Sequence, residues 1–440
     1  MSASPARLTA FKILLRVERE SAYAVELLHS SLLEELSPAD RNLVTQIVMG
    51  VLRWRSALDS AITQFSFTPF RKLDLEVLTA LRMGAYQFLF LTRVPAHAVV
   101  NETVELVKQS KKASAAGLAN AVMRKIQAQA KSGKRTSTQG TLAEVLAHPQ
   151  WLIDRWIQEF GTQAATKICE YDQQIPTTSL RLSSSEDEEQ LKAEGIELAP
   201  GALLTSARRV AAGDVTGTTL FRNRRIAIQD EGSQLVAAII GTGRRILDCC
   251  AAPGGKTGAM ATRLPEAEIV AAELHPHRAR LLREMVPQEN VEVITADALT
   301  LPFAAEFDRV LADVPCSGTG TLARNPEIKW RLHPADLQDL QRRQIAILSA
   351  AMKHVAPAGR IVYSTCSLER VENEDVVDAA LVANPEFRIV PVKQELLRLR
   401  EQNELAWEKV DQMVRGDFLR TTPGVQPCDG FFAAVLERTR

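Results

Sequence analysis

The chain has 440 residues, 46% of them hydrophobic and 24% charged, a composition that excludes wholesale disorder and suits two or three domains. Net charge is zero, yet residues 1–150 carry 19 Lys+Arg against 12 Asp+Glu and the remainder 34 against 41; a basic front half joined to an acidic back half hints at an anionic partner at the front, the plainer reading being a helical surface that is simply Lys/Arg-rich. No apolar stretch reaches the roughly 18 residues of a membrane span, and the opening MSASPARLTAFKILLRVERE lacks the apolar centre of a leader, so a soluble, cytoplasmic protein is expected.

Residues 5–128 read as helices. Val25, Leu27, Leu28, Leu32, Leu33 and Leu36 recur at helical spacing. Ser37-Pro38-Ala39-Asp40 opens the next helix, with serine as cap and proline at the first helical position. Amphipathic segments follow at Leu73–Leu91, Val99–Lys108 and Ala115–Ile126, and together they predict an all-α bundle over 1–138. The polar stretch KSGKRTSTQGT, 131–141, has linker chemistry. Residues 139–225 predict a linker and a small α+β module, with helices at Trp151–Phe160 and Ala164–Tyr171 and strands at Thr178–Leu182 and Gly217–Phe221. From 226 to 440 short apolar strands alternate with helices: Arg245–Asp248, Glu268–Leu274, Val291–Ala296, Phe307–Ala312 and Arg360–Ser364, with a long helix at Pro334–Val355. That alternation predicts a doubly wound, mostly parallel, Rossmann-like α/β sheet, whose ligands bind at the C-terminal strand ends.

The first strand ends in Asp248-Cys249-Cys250-Ala251-Ala252-Pro253-Gly254-Gly255-Lys256-Thr257. Gly255-Lys256-Thr257 resembles the end of a phosphate loop, but cysteine stands at 250 where the first glycine belongs, and G-x-G-x-x-G is absent. Acids close the successive strands: Asp248, Glu273 for ribose hydroxyls, Asp297 for an adenine amino group, and Asp313. Four in succession suit an adenosine ligand with a cationic tail, and S-adenosylmethionine fits better than a triphosphate. The six cysteines (169, 249, 250, 316, 366 and 428) include no C-x-x-C pair, so no metal is expected. Two of them, Cys316 and Cys366, fall just beyond strand ends beside Pro, Ser, Gly and Thr, where amides and hydroxyls can stabilise a thiolate.

At these residues the chain resembles the RNA (cytosine-5)-methyltransferases. Cys250-Ala251-Ala252-Pro253-Gly254-Gly255-Lys256 is similar to their donor-binding loop, Asp313-Val314-Pro315-Cys316-Ser317-Gly318 to their proline–cysteine motif and Ser364-Thr365-Cys366-Ser367 to their threonine–cysteine–serine motif. Gln229-Asp230-Glu231-Gly232-Ser233 and Asp429-Gly430-Phe431-Phe432 extend the match. Residues 1–130 resemble the antitermination factor NusB, a pairing similar to the bacterial RsmB subfamily that modifies a 16S rRNA cytosine.

The resemblance implies methyl transfer from S-adenosylmethionine to carbon 5 of an unpaired or flipped cytosine of 16S rRNA by a monomer. It implies that Cys366 adds to carbon 6, that Asp313 contacts the base edge, and that Cys316 serves release, either as the base or beside a water that is. Lys256 would orient the donor loop or the base. Arg53, Arg55, Lys108, Lys111, Lys112, Arg124 and Lys125 are candidates for phosphates, with Trp54 for stacking, although a core tryptophan is the plainer expectation. Two other readings stand beside this one. An exocyclic-amine methyltransferase would leave Cys366 idle, and a non-catalytic RNA-binding or antitermination protein would leave both cysteines idle.

Overall fold

The structure, a computed structural model, describes residues 3–92, 94–132, 140–304 and 306–439. The chain forms two compact units, one of residues 1–175 with 322–331, the other of 176–321 with 332–440. Most of the expected linker, 133–139, lies outside the described residues.

The first unit is helical. Leu75–Phe90 is its central helix, apolar on nearly every side, and it packs against Pro5–Glu20, Pro38–Arg53, Arg55–Phe65, Ala96–Gln109 and Ala116–Lys131. Ile13, Val17, Ile47, Val51, Leu81, Met83 and Val122 form the centre of the core. Ser37 caps Pro38–Arg53 as expected, accepting from the Asp40 amide at 3.2 Å. The expected helix through Val25–Leu36 instead divides into Ala24–Leu28 and a turn at Ser31–Leu33, because the Ser30 side chain caps Leu32. The two helices expected in the middle module, observed as Gln150–Phe160 and Thr162–Asp172, belong to this unit.

Residues 322–331 complete this unit. The Trp330 indole donates to the Leu52 carbonyl at 2.5 Å, Arg331 donates to the carbonyls of Val17 (2.8 Å) and Ser21 (2.9 Å), and Glu327 accepts from the Ala24 amide at 2.9 Å. Lys329 is 1% exposed. Burial pushes its ammonium down to about 7, against the pull of nearby Asp172.

The second unit carries two sheets. The smaller is antiparallel, in the order Glu197–Pro200, Ala207–Ala212, Ser179–Leu182, Ile226–Ile228. Gly217–Phe221, expected as a strand, is a 3-10 turn at Val215–Gly217 followed by a short helix Thr219–Arg222. Side-chain caps from Asp214 and Thr218 give that backbone a local alternative to the extended form.

The larger sheet has nine strands among the described residues: β1 (Arg245–Asp248), β2 (Glu268–Glu273), β3 (Val291–Thr295), β4 (Phe307–Asp313), β5 (Val355–Thr365), β6 (Phe387–Val390), β7 (Val414–Arg415), β8 (Phe418–Thr421) and β9 (Phe431–Arg438). The order is β7-β8-β9-β5-β4-β1-β2-β3, with β6 also pairing β9. Strands β1 to β5 run parallel, and β9 joins β5 antiparallel. Alternate residues face opposite cores: Ile246, Leu311 and Val362 meet Leu235, Met260 and Leu396, while Leu247, Val310 and Ile361 meet Leu348 and Val377. The sheet is therefore covered on both faces. Its winding direction reverses between β1 and β4, the place where such sheets bind ligands.

Candidate active site

The loop after β1 is shaped by glycine. Gly254 has φ +109°, and a Cβ there would sit 2.6 Å from Val286 Cγ2 and 2.7 Å from Leu282 Cδ1. Only glycine fits both demands. Asp248, 1% exposed, ends the strand beneath this loop. Burial pushes its carboxyl up to about 7, opposed by a 2.7 Å hydrogen bond from Thr257 Oγ1. The helix Gly255–Arg263 then starts, bringing Lys256 in its first turn. Bare backbone around Gly254 and Gly255 over a buried acid is a cradle of the right chemistry for a nucleoside with a cationic tail.

Three elements converge beside that cradle. Lys256 Nζ lies 2.8 Å from Asp313 Oδ2, and Asp313 Oδ1 accepts from Ser364 Oγ at 2.7 Å. Burial alone would pull the Lys256 ammonium down; Asp313, the Cys366 sulfur and Asp248 together outweigh it and hold it above its usual value. Its amino group also stands 5.0 Å from the centre of the Phe431 ring. The Cys316 and Cys366 sulfurs lie 3.3 Å apart, both half-buried. The hydrogen bond to Cys366, then burial, pushes the Cys316 thiol well above its usual value.

Glu372, fully buried, holds the two cysteine loops together, and the sequence reading missed it. Its Oε1 accepts from the Ser317 amide at 2.8 Å and from Gln344 Nε2 at 2.9 Å, while Oε2 accepts from the hydroxyls of Ser317 and Ser367. The Gly320 amide donates to the Cys366 carbonyl at 2.9 Å and the Gly430 amide to the Gly320 carbonyl at 2.8 Å. Asp230, at the start of the helix Glu231–Ile239, is tied to the C-terminal segment, accepting from the amides of Gly232 (2.8 Å) and Asp429 (3.2 Å).

Thus Asp248, Lys256, Asp313, Cys316 and Cys366 gather around the ends of β1, β4 and β5. Cys250, Ala251, Ala252 and Pro253 form the loop between, with a cis peptide before Pro253. Glu273, 5% exposed at the end of β2, accepts from the His275 amide at 2.9 Å. Asp297, half-buried after β3, caps the Leu299 amide at 2.9 Å. Among the proposed RNA contacts, Arg53 and Arg55 are occupied within the first unit. Arg53 is 6% exposed and donates to the Ala323 carbonyl at 2.8 Å, and Arg55 pairs with Glu18 at 2.9 Å. Trp54 stacks on Phe90 with centroids 4.8 Å apart, so it is a packing residue, as its plainer reading held. Lys108, Lys111, Arg124 and Lys125 are exposed, and Lys112 pairs with Asp74 at 3.1 Å.

Comparison with known proteins gives this arrangement a lineage. Residues 240–437 match the family described as 16S rRNA methyltransferase RsmB/F, residues 4–128 the NusB family, and residues 148–213 the ferredoxin-like domain of RsmF/B-like methyltransferases. The chain is 32% identical to the probable ribosomal RNA small subunit methyltransferase B of Bacillus subtilis, covering 100% of both. It is 31% identical to the ribosomal RNA small subunit methyltransferase B of Vibrio cholerae, over 92% of this chain and 91% of that one. In fold it is similar to the crystal structure of PH0851, with a TM-score of 0.80 at 21% identity and 99% of each chain covered. A methyltransferase homolog protein from Pyrococcus horikoshii matches with a TM-score of 0.55 at 25% identity, over 68% of this chain and 97% of that one. With its strand-end acids, its paired thiols and full-length kinship to these enzymes, the chain belongs to the RsmB/F family of 16S rRNA methyltransferases.

Proposed function

We propose that the protein methylates carbon 5 of a cytosine in 16S rRNA, with S-adenosylmethionine as donor and Cys366 as covalent nucleophile. The observation that carries the reading is the Cys316–Cys366 sulfur pair, 3.3 Å apart, set beside the Lys256–Asp313 ion pair. A methyltransferase acting on an exocyclic amine has no use for two thiols there. Carbon 5 of cytosine is a weak nucleophile until a thiolate adds to carbon 6.

In this reading Asp248, the loop from Cys250 to Gly255, Glu273 and Asp297 hold the donor, which when bound supplies an electrophilic methyl group. Cys366 reacts as its thiolate, the nucleophilic form of a cysteine. That thiolate adds to carbon 6, and Asp313, oriented by Lys256 and Ser364, contacts the base edge and stabilises a proton at ring nitrogen 3. Once carbon 5 is methylated its proton leaves, the ring double bond re-forms and Cys366 is expelled. Cys316, in contact with Cys366, serves that release. The cytosine reaches the thiol only when unpaired or flipped out, and the exposed Lys108, Lys111, Arg124 and Lys125 of the first unit bind RNA phosphates.

Bisulfite sequencing of 16S rRNA from cells with and without the gene tests the reading. One protected cytosine is expected to become convertible on deletion and to be restored by the wild-type chain. An unchanged pattern would overturn it.

A further inference from the structure

The Cys316–Cys366 pair also has a chemistry that methyl transfer does not use. The two sulfurs are 3.3 Å apart, against the about 2.05 Å of a disulfide bond, and the loops that carry them are tied to one another. Glu372 binds Ser317 of one loop and Ser367 of the other, and the Gly320 amide holds the Cys366 carbonyl. Both thiols are half-buried, so a small reagent reaches them, whereas Cys169, Cys249 and Cys428 are buried. The thiolate is the form that peroxides attack, and the Lys256 ammonium interacts electrostatically with the Cys366 sulfur.

We propose that Cys316 and Cys366 form an oxidation site for peroxides, closing to an intramolecular disulfide that stops RNA methylation and shields the nucleophile from irreversible oxidation. The Cys366 thiolate attacks one oxygen of hydrogen peroxide, the O–O bond breaks, and the departing hydroxide takes up a proton to leave as water. Cys366 is then a sulfenic acid. The Cys316 sulfur attacks the Cys366 sulfur, and the sulfenic hydroxyl leaves as a second water by taking up the Cys316 thiol proton. In sum two thiols lose two electrons and two protons, and one peroxide is reduced to two waters. Cys316 acts as the resolving thiol, and a cellular dithiol reverses the step by exchange. Only the link to activity rests on Cys366 being the methylation nucleophile.

The full-length protein, free of RNA, is treated with a small excess of hydrogen peroxide, alkylated, digested and analysed by mass spectrometry, with methyl transfer measured in parallel. A peptide containing Cys316 cross-linked to one containing Cys366 is expected, with activity falling at least about tenfold and returning on addition of dithiothreitol. In Cys316→Ser the same treatment is expected to carry Cys366 to sulfinic or sulfonic acid, which dithiothreitol does not reverse. Wild-type Cys366 oxidised to sulfinic acid without a cross-link, or cross-linked to Cys250 instead, would overturn the oxidation site alone. Cross-linked protein that still methylates RNA would overturn the assignment of Cys366 as nucleophile, and the switching with it.

Discussion

Lys256 Nζ meets Asp313 Oδ2 at 2.8 Å, and through that pair the loop after β1 is joined to the end of β4. Ser364 from β5 closes the set by donating to the other oxygen of Asp313 at 2.7 Å. β4 and β5 run side by side with Asp313 opposite Ser364. The acid that would face the cytosine is therefore fixed by a cation on one side and a hydroxyl on the other, within reach of the thiol two residues beyond Ser364.

Lys256→Met should lower kcat/KM for methyl transfer by roughly 30- to 4000-fold. Removing one partner of a largely desolvated charge pair costs about 2–5 kcal/mol, and each 1.4 kcal/mol is about a factor of ten. Lys256→Arg should recover only part of the loss, since a planar guanidinium cannot replace a compact ammonium at this position. Steady-state kinetics with a tritium-labelled donor check both variants. Activity of the methionine variant within a factor of three of wild type would count against the role.

Asp248 should make the protein pH-sensitive in a defined direction. Its carboxyl is raised from 3.8 to about 7, chiefly by burial. A raised acid favours folding in its protonated form, so that contribution is present below about pH 4 and is lost as pH rises through about 7. Ligand-free protein should lose stability between pH 4 and 7, and Asp248→Asn should flatten that slope in denaturation scans. Donor affinity should move the other way, strengthening as pH passes 7 and a carboxylate forms for the cationic tail. Calorimetric titration of S-adenosylmethionine at pH 6 and pH 8 reads this directly.

Gly320→Ala should disable the site. A Cβ on Gly320 would sit 2.2 Å from the Gly430 carbonyl oxygen and 2.9 Å from that of Cys366. Both are backbone atoms and cannot swing aside, so the Cys316 and Cys366 loops must separate. Activity should fall at least about a hundredfold, the scale of a 1 Å misplacement of catalytic groups. The melting temperature should fall by several degrees at the same time.

Much of this site is legible in the sequence. The acids at 248, 273 and 313 and the cysteines at 316 and 366 lie at or just beyond strand ends, and strand ends follow from the apolar runs that precede them. β1 was placed at its observed bounds, and the helix at Asp336–Met352 within a few residues. Glu372 was not legible, because it sits among Glu369, Glu374 and Asp375 and only the third dimension brings it between two serines. The antiparallel strands β6 to β9 were also missed as strands, since the Asp429-Gly430-Phe431-Phe432 motif gives no pairing direction. Arg53 and Arg55 misled for a related reason: a basic pair at a helix end looks the same whether it faces solvent or, as here, the Ala323 carbonyl and Glu18.

Lys329 gives the first unit its own pH signature. Burial lowers its ammonium from 10.5 to about 7. Between those values the unfolded chain binds more protons than the folded one, so stability rises with pH across that window. Urea denaturation at pH 7, 8, 9 and 10 should show this rise in wild type and a flatter profile in Lys329→Met. Equal slopes in the two proteins would contradict the assignment.

The central claim is the bond between Cys366 and the pyrimidine, and the Cys316→Ala protein tests it most directly. With release impaired, that protein mixed with 16S rRNA and S-adenosylmethionine should leave a complex that survives denaturing electrophoresis. Nuclease and protease digestion followed by mass spectrometry should find a methylated cytosine nucleotide on the peptide containing Cys366, and the Cys316→Ala/Cys366→Ala protein should form no such band. A nucleotide attached to any other residue, or full methylation by Cys366→Ala, would contradict the account.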